Sequence, residues 1–151
     1  GRDLRVFRVP DHALVYELRG PDGQLELVVL PISGMGLWGT LYGFIAFDPD
    51  LKTIRGLTFY EHKETPGLGG EVDNPRWKAL WPGRQAFDSA AQTRIEVIRG
   101  RAGAPDADPY RVDGLAGATM TSRGVTNMLH FWLGEYGFRP YLERLRTQGG
   151  V

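Results

Sequence analysis

Apolar residues along this chain follow two different rhythms, and the change between them divides it. From the N-terminus to about residue 98 the pattern is that of strands. Leu4 to Val9 is weakly strand-like. Ala13 to Leu18 and Leu25 to Leu30 flank Gly20-Pro21-Asp22-Gly23, the composition of a hairpin turn. Leu41 to Phe47 and Thr53 to Tyr60 are further strands, turning at Asp48-Pro49-Asp50, and Arg94 to Ile98 adds another with Ile95, Val97 and Ile98. Asn74-Pro75 interrupts this rhythm. Asparagine suits a helix cap and proline the first helical position, so a short helix is predicted through Trp81. A Gly/Pro/Asp-rich loop follows from Arg101 to Pro109. The spacing of Val125, Met128, Leu129, Trp132 and Leu133 then predicts a helix from Ser122 to about Tyr136. A last short helix after Pro140 carries Tyr141, Leu142 and Leu145. The expectation is an α+β fold: one domain over residues 1–151, mostly antiparallel sheet, with glycine-rich loops forming a site and helices at the C-terminus.

Composition narrows the function. At 151 residues the chain can bury a core without disulfides or a structural metal. Lysine plus arginine and aspartate plus glutamate are both 18, so the formal charge is zero and no basic patch for nucleic acid is expected. No cysteine is present, which removes thiolate nucleophiles and iron–sulfur ligation. His12, His62 and His130 are scattered, without the spacing of a metal site, and His62 is expected in an exposed loop. No run approaches the roughly 20 apolar residues of a membrane span.

Three segments carry candidate chemistry. The first is Asp113-Gly114-Leu115-Ala116-Gly117-Ala118-Thr119-Met120-Thr121-Ser122. Gly117 and Ala118 leave the backbone open to a modifying enzyme. A helix starting just after Thr121 would aim its free N–H groups and positive dipole end at an anion on that hydroxyl. The same hydroxyls would serve equally as plain N-caps. No base lies near Thr121 in the sequence, since His130 is nine residues on and within the predicted helix. The second segment is Glu64-Thr65-Pro66-Gly67-Leu68-Gly69-Gly70. Here proline and glycines allow tight turns, Leu68 offers an apolar surface for a flat ring, and Glu64 and Thr65 could hydrogen-bond its polar edge. A plain surface turn has the same composition. The third is Gly34-Met35-Gly36-Leu37-Trp38-Gly39, formally Gly-x-Gly-x-x-Gly after a strand. A dinucleotide fold requires a helix next. The strand-like Thr40 to Phe47 follows instead, so the segment is a glycine-rich loop between strands.

The first segment resembles the flavin-attachment motif, Ser/Asp-Gly-Ala-Thr/Ser-x-Thr, of the C subunits of sodium-pumping NADH:quinone oxidoreductases and the G subunits of Rnf complexes, within the FMN-binding domain family. One departure stands out: Ala116 occupies the serine or aspartate position. The second segment is similar to the same family's Glu-Thr-Pro-Gly-Leu-Gly loop, and the third to its Gly-x-Gly-Leu-Trp-Gly loop. Gly36-Leu37-Trp38-Gly39, Gly69–Val72, Asn74-Pro75-Arg76-Trp77 and Phe131-Trp132-Leu133-Gly134 favour the pump over Rnf. The resemblance implies FMN bound covalently through a phosphoester to Thr121, attached by an external flavin transferase. Thr119, Gly117, Ala118, Met120, Glu64, Thr65, Gly67, Leu68, Gly69, Trp38 and Leu37 would complete the cofactor site, with no metal. It further implies an electron-transfer subunit of a membrane complex that oxidises NADH, reduces ubiquinone and exports sodium. The domain would lie on the periplasmic side of a bacterial inner membrane, behind an N-terminal anchor expected in the full-length protein. A non-catalytic β-rich binding module is the alternative in another class.

Overall fold

The computed structural model describes residues 1–9 and 14–149; His12 and Ala13, named above, lie outside the described residues. Five strands form one antiparallel meander: β1 (Asp3–Arg8), β2 (Leu14–Arg19), β3 (Leu25–Met35), β4 (Thr40–Phe47) and β5 (Ile54–Glu61), in the order β1-β2-β3-β4-β5. The β2–β3 turn closes with Gly20 N–H donating to the Gln24 carbonyl at 2.8 Å. Strand β3 is longer than the pattern Leu25–Leu30 suggested. Its pairing with β2 ends at Val29, whereas its pairing with β4 continues through Pro31, Gly34 and Met35. Pro31 therefore sits where one side of the ladder has already ended, the setting in which a strand tolerates a missing N–H.

A 3₁₀ helix (Gly69–Asp73) leads into α1 (Pro75–Lys78), capped by the Asn74 side chain, which accepts from Arg76 N–H. This helix ends three residues short of Trp81. Of the strand expected at Arg94–Ile98 only β6 (Glu96–Val97) is regular, paired in parallel with β7 (Arg111–Val112). Helix α2 (Thr119–Trp132) begins three residues before Ser122 and stops before Tyr136, because Gly134 and Gly137 break it and Phe138 N–H turns back onto the Trp132 carbonyl at 2.6 Å. Helix α3 (Arg139–Gly149) is the last element of the described residues.

The core lies on one face of the sheet. Val28, Leu30 and Ile32 of β3 and Leu41, Ile45 and Phe47 of β4 are buried, as are Val125, Met128 and Leu129 of α2. The alternation of β3 thus sends every second residue towards α2. Trp132 Nε1 ties the end of α2 to the Ser33 carbonyl of β3 at 2.7 Å. Helix α3 is pinned by a buried polar group: Glu17 of β2 accepts from the Tyr141 hydroxyl and from Arg19. Burial, with the adjacent Glu17 carboxylate, pushes the Tyr141 hydroxyl above the ordinary phenol range, so it remains a donor. The opposite sheet face carries a row of touching rings, Tyr16, Phe44, Tyr60 and Tyr42.

Candidate functional site

Glu64 stands where the three motif segments meet. It follows β5 on a loop held from below by His62, whose Nδ1 accepts the Glu64 N–H at 3.1 Å while Nε2 contacts Asp73 at 2.7 Å. His62 is thus half-buried and structural, not the exposed loop residue expected. One Glu64 carboxylate oxygen accepts the Leu37 N–H at 2.9 Å and the Thr121 hydroxyl at 2.5 Å; the other accepts the Trp38 N–H at 3.0 Å. Residues 27 and 57 positions away in the chain are gathered by a single side chain. Both Glu64 and Thr121 are buried, at 5% and 1% exposure. Burial drives the Glu64 carboxyl upward, but the Thr121 hydroxyl and the Leu37 and Trp38 amides outweigh it and hold the group below the usual glutamate range.

This geometry corrects the expectation that no base lies near Thr121: a carboxylate accepts a hydrogen bond from its hydroxyl. Both Glu64 oxygens face inward onto the chain's own donors. Gly69 is part of the same packing. A Cβ there would lie 2.5 Å from Thr121 Oγ1, so any larger residue would displace the hydroxyl.

Around this buried pair two turns place the remaining motif residues. Leu68 N–H returns to the Thr65 carbonyl at 3.0 Å across Pro66-Gly67, with Gly67 at φ +81°; this is a type II turn. Ala118 N–H returns to Leu115 in the same way, with Gly117 at φ +69°. The turns abut, since a Cβ on Gly117 would meet Leu68 Cδ2 at 3.0 Å. Leu68, Met120, Leu37 and Trp38 all present exposed apolar side chains, and Thr65 is exposed beside them.

The three hydroxyls of the first α2 turn have separate fates. Ser122 Oγ donates to the Ala118 carbonyl and accepts Leu115 N–H, so it is a structural cap. Thr119 faces solvent. Thr121 points inward to Glu64. Ala118, at the N-cap, is buried and makes no side-chain cap, which leaves the first-turn amides without a side-chain acceptor.

A groove of about 710 Å³ opens at this helix end, lined by Gly114, Ala116, Gly117 and Thr119 and by the cations Arg99, Arg101 and Arg123. Its size is that of a small-molecule cofactor site. Uncapped amides, a positive dipole end and three guanidinium groups suit a phosphate, and the exposed apolar side chains beside it suit a flat ring. The residues present therefore fit a flavin phosphate. The arginines have no motif and no periodicity around them, and nothing in the sequence marked them. Asp113 shapes the rim by accepting Ala102 N–H at 2.9 Å. A smaller cleft of about 210 Å³ at Phe87 and Arg139 contains none of the motif residues. His130 contacts the Ile95 carbonyl at 2.8 Å and takes no part in the Thr121 cluster. Among the described residues no His/Asp/Glu group is arranged to hold a metal ion, and no helix is long and apolar enough to cross a membrane.

A meander sheet, a helix end with free amides and a glycine-rich turn on either side define a cofactor-binding domain. Residues 36–134 match the FMN-binding domain family, and the chain belongs to it. Among its relatives is the C subunit of the Na(+)-translocating NADH-quinone reductase from Yersinia pestis, 53% identical over 132 residues, 87% of this chain and 49% of that protein. The corresponding protein from Pseudomonas aeruginosa is 54% identical over 83% of this chain and 48% of its own length. The chain thus spans about half the length of these relatives. The crystal structure of Shewanella oneidensis NqrC superposes with a TM-score of 0.81 at 40% identity, covering 89% of this chain and 61% of that one. The five-stranded sheet with a few helices is shared with it.

Proposed function

We propose that this chain is the FMN-carrying part of a C-type subunit of a sodium-translocating NADH:quinone oxidoreductase, with the flavin joined by a phosphoester to Thr121. The observation that carries the reading is the convergence on Glu64 of the segments containing Leu37-Trp38, Glu64–Gly69 and Thr121, all inside the family match. Bound there, FMN would supply one- and two-electron redox chemistry. The chain's own part is to hold and tune it. Thr121 anchors the phosphate. Gly117, Ala118 and Thr119 shape the turn, with Arg99, Arg101 and Arg123 countering charge. Leu68, Met120, Leu37 and Trp38 exclude water from the ring, and Thr65, Gly67 and Gly69 set the loop beneath it.

Forming an ester from free FMN and an alcohol would release water into water, so an activated donor is required. A flavin dinucleotide fits: the Thr121 oxygen bonds to the flavin-side phosphorus, the phosphoanhydride P–O bond breaks, the nucleotide monophosphate departs with the electron pair, and the hydroxyl proton passes to a base. Thr121 is 1% exposed, so the folded domain does not present it for spontaneous reaction and an external flavin transferase is assigned this step. The remaining subunits, the N-terminal anchor and the periplasmic placement belong to the same proposal.

The test is co-production with a flavin transferase. Covalent flavin, seen as fluorescence surviving denaturation, is expected in the wild type and in Thr119→Val and lost in Thr121→Val with the fold intact. Flavin retained by Thr121→Val would overturn the assignment. The relation to the pump's C subunits rather than Rnf rests on the identities of 53% and 54% with named relatives.

A further inference from the structure

We propose that the Thr121–Glu64 hydrogen bond is a latch that registers whether Thr121 is esterified, closed while the hydroxyl is free and opened by attachment, which then releases the Leu37–Trp38 loop. The inference rests on the assignment of Thr121 as acceptor.

The chemistry of the contact forces the change. Thr121 Oγ1 and a Glu64 oxygen are 2.5 Å apart, a separation that two oxygens tolerate only with a proton between them. Esterification removes that proton and leaves a bridging oxygen with nothing to donate. It also places a phosphodiester anion beside a buried carboxylate, a like-charge pairing that disrupts local packing. Glu64 cannot keep its place and its charge together.

Displacing Glu64 has a defined consequence. Its oxygens are the acceptors for Leu37 and Trp38 N–H at 2.9 and 3.0 Å. The loop they belong to is closed by only one backbone bond across its turn, Gly36 N–H to the Gly39 carbonyl. Leu37 and Trp38 are 51% and 64% exposed, so no core packing resists their movement. On the other side, the Glu64 backbone stays anchored through His62 to Asp73. The movement is therefore confined to the Glu64 side chain and the β3–β4 turn.

The latch acts in the other direction as well. With Glu64 engaged, Thr121 is 1% exposed and a phosphorus atom cannot reach its oxygen, so attachment must wait for opening. Esterification then prevents reclosure.

The experiment is hydrogen exchange, resolved at the Leu37 and Trp38 amides of the purified protein, in four forms: free hydroxyl, flavin-esterified, Thr121→Val and Thr121→Asp. The aspartate places a negative charge at the position without a ring to shield the loop; the valine removes the donor without adding charge. Exchange at both amides is expected to rise about tenfold in Thr121→Asp, the equivalent of one charge-assisted hydrogen bond. In Thr121→Val, which removes the donor without adding charge, the rise should be smaller, with β4 core amides unchanged throughout. In the esterified form, the Leu37 and Trp38 amide proton resonances should lose the downfield shift of a carboxylate-bound N–H. Wild-type exchange in Thr121→Asp, or unchanged amide shifts in a form whose mass confirms flavin on Thr121, would overturn the latch while leaving the acceptor assignment standing. A mass that places flavin elsewhere would instead remove the assignment beneath it.

Discussion

At the scale of residues, one carboxylate sets the site. Glu64 binds three donors and is held below the usual glutamate range because the folded state favours its charged form. A depressed folded value means its stabilisation is complete above the ordinary glutamate pKa of about 4.3 and is lost only as pH falls through the lower, folded value. With the hydroxyl free, Trp38 fluorescence and the Leu37 and Trp38 amide shifts should stay constant from neutral pH to about 5. They should change only in stronger acid; in His62→Gln, which removes the imidazole bonded to the Glu64 N–H, a midpoint near pH 6 would contradict this role for Glu64. Thr121, Thr119, Leu68, Leu37 and Trp38 stand out by motif. Their relation does not. A hydrogen bond between positions 57 apart has no periodicity, and nothing in Glu64-Thr65-Pro66 says that its carboxylate turns inward to the chain's own amides.

At the scale of elements, the strands and the C-terminal helices followed from hydrophobic spacing, while their ends did not. Helix α2 starts at Thr119 because its first turn buries the hydroxyls of Thr121 and Ser122 and not apolar groups, so the 3.6-residue pattern begins a turn late. Strand β3 outruns its apolar run because pairing with β4 overrides the poor strand preference of Pro31, Ser33 and Gly34. The tie between α3 and β2 was equally hidden. Glu17 carries no motif and no sequence signal of a partner, yet it is 3% exposed and accepts from Tyr141 and Arg19. Removing one donor from a buried carboxylate costs about 1–3 kcal/mol. Tyr141→Phe should lower Tm by several degrees in a thermal melt, with the sheet intact. A melt equal to wild type would show that α3 is held by its apolar contacts alone.

At the scale of the whole molecule, the meander serves as a rigid floor. Its core face carries α2, α2 presents Thr121 at its first turn, and the β3–β4 and post-β5 loops close over that turn from the same sheet end. The chain spans about half the length of the relatives it matches. The claim on which the account turns is local: a flavin held by one bond at one hydroxyl. It is tested most directly by peptide mass mapping of the protein made alongside a flavin transferase and then denatured. The expected result is one FMN, less a water, on the peptide containing Thr121, with fragmentation placing it on that residue. Release of all flavin on denaturation, or its localisation to Thr119 or Ser122, would contradict the account.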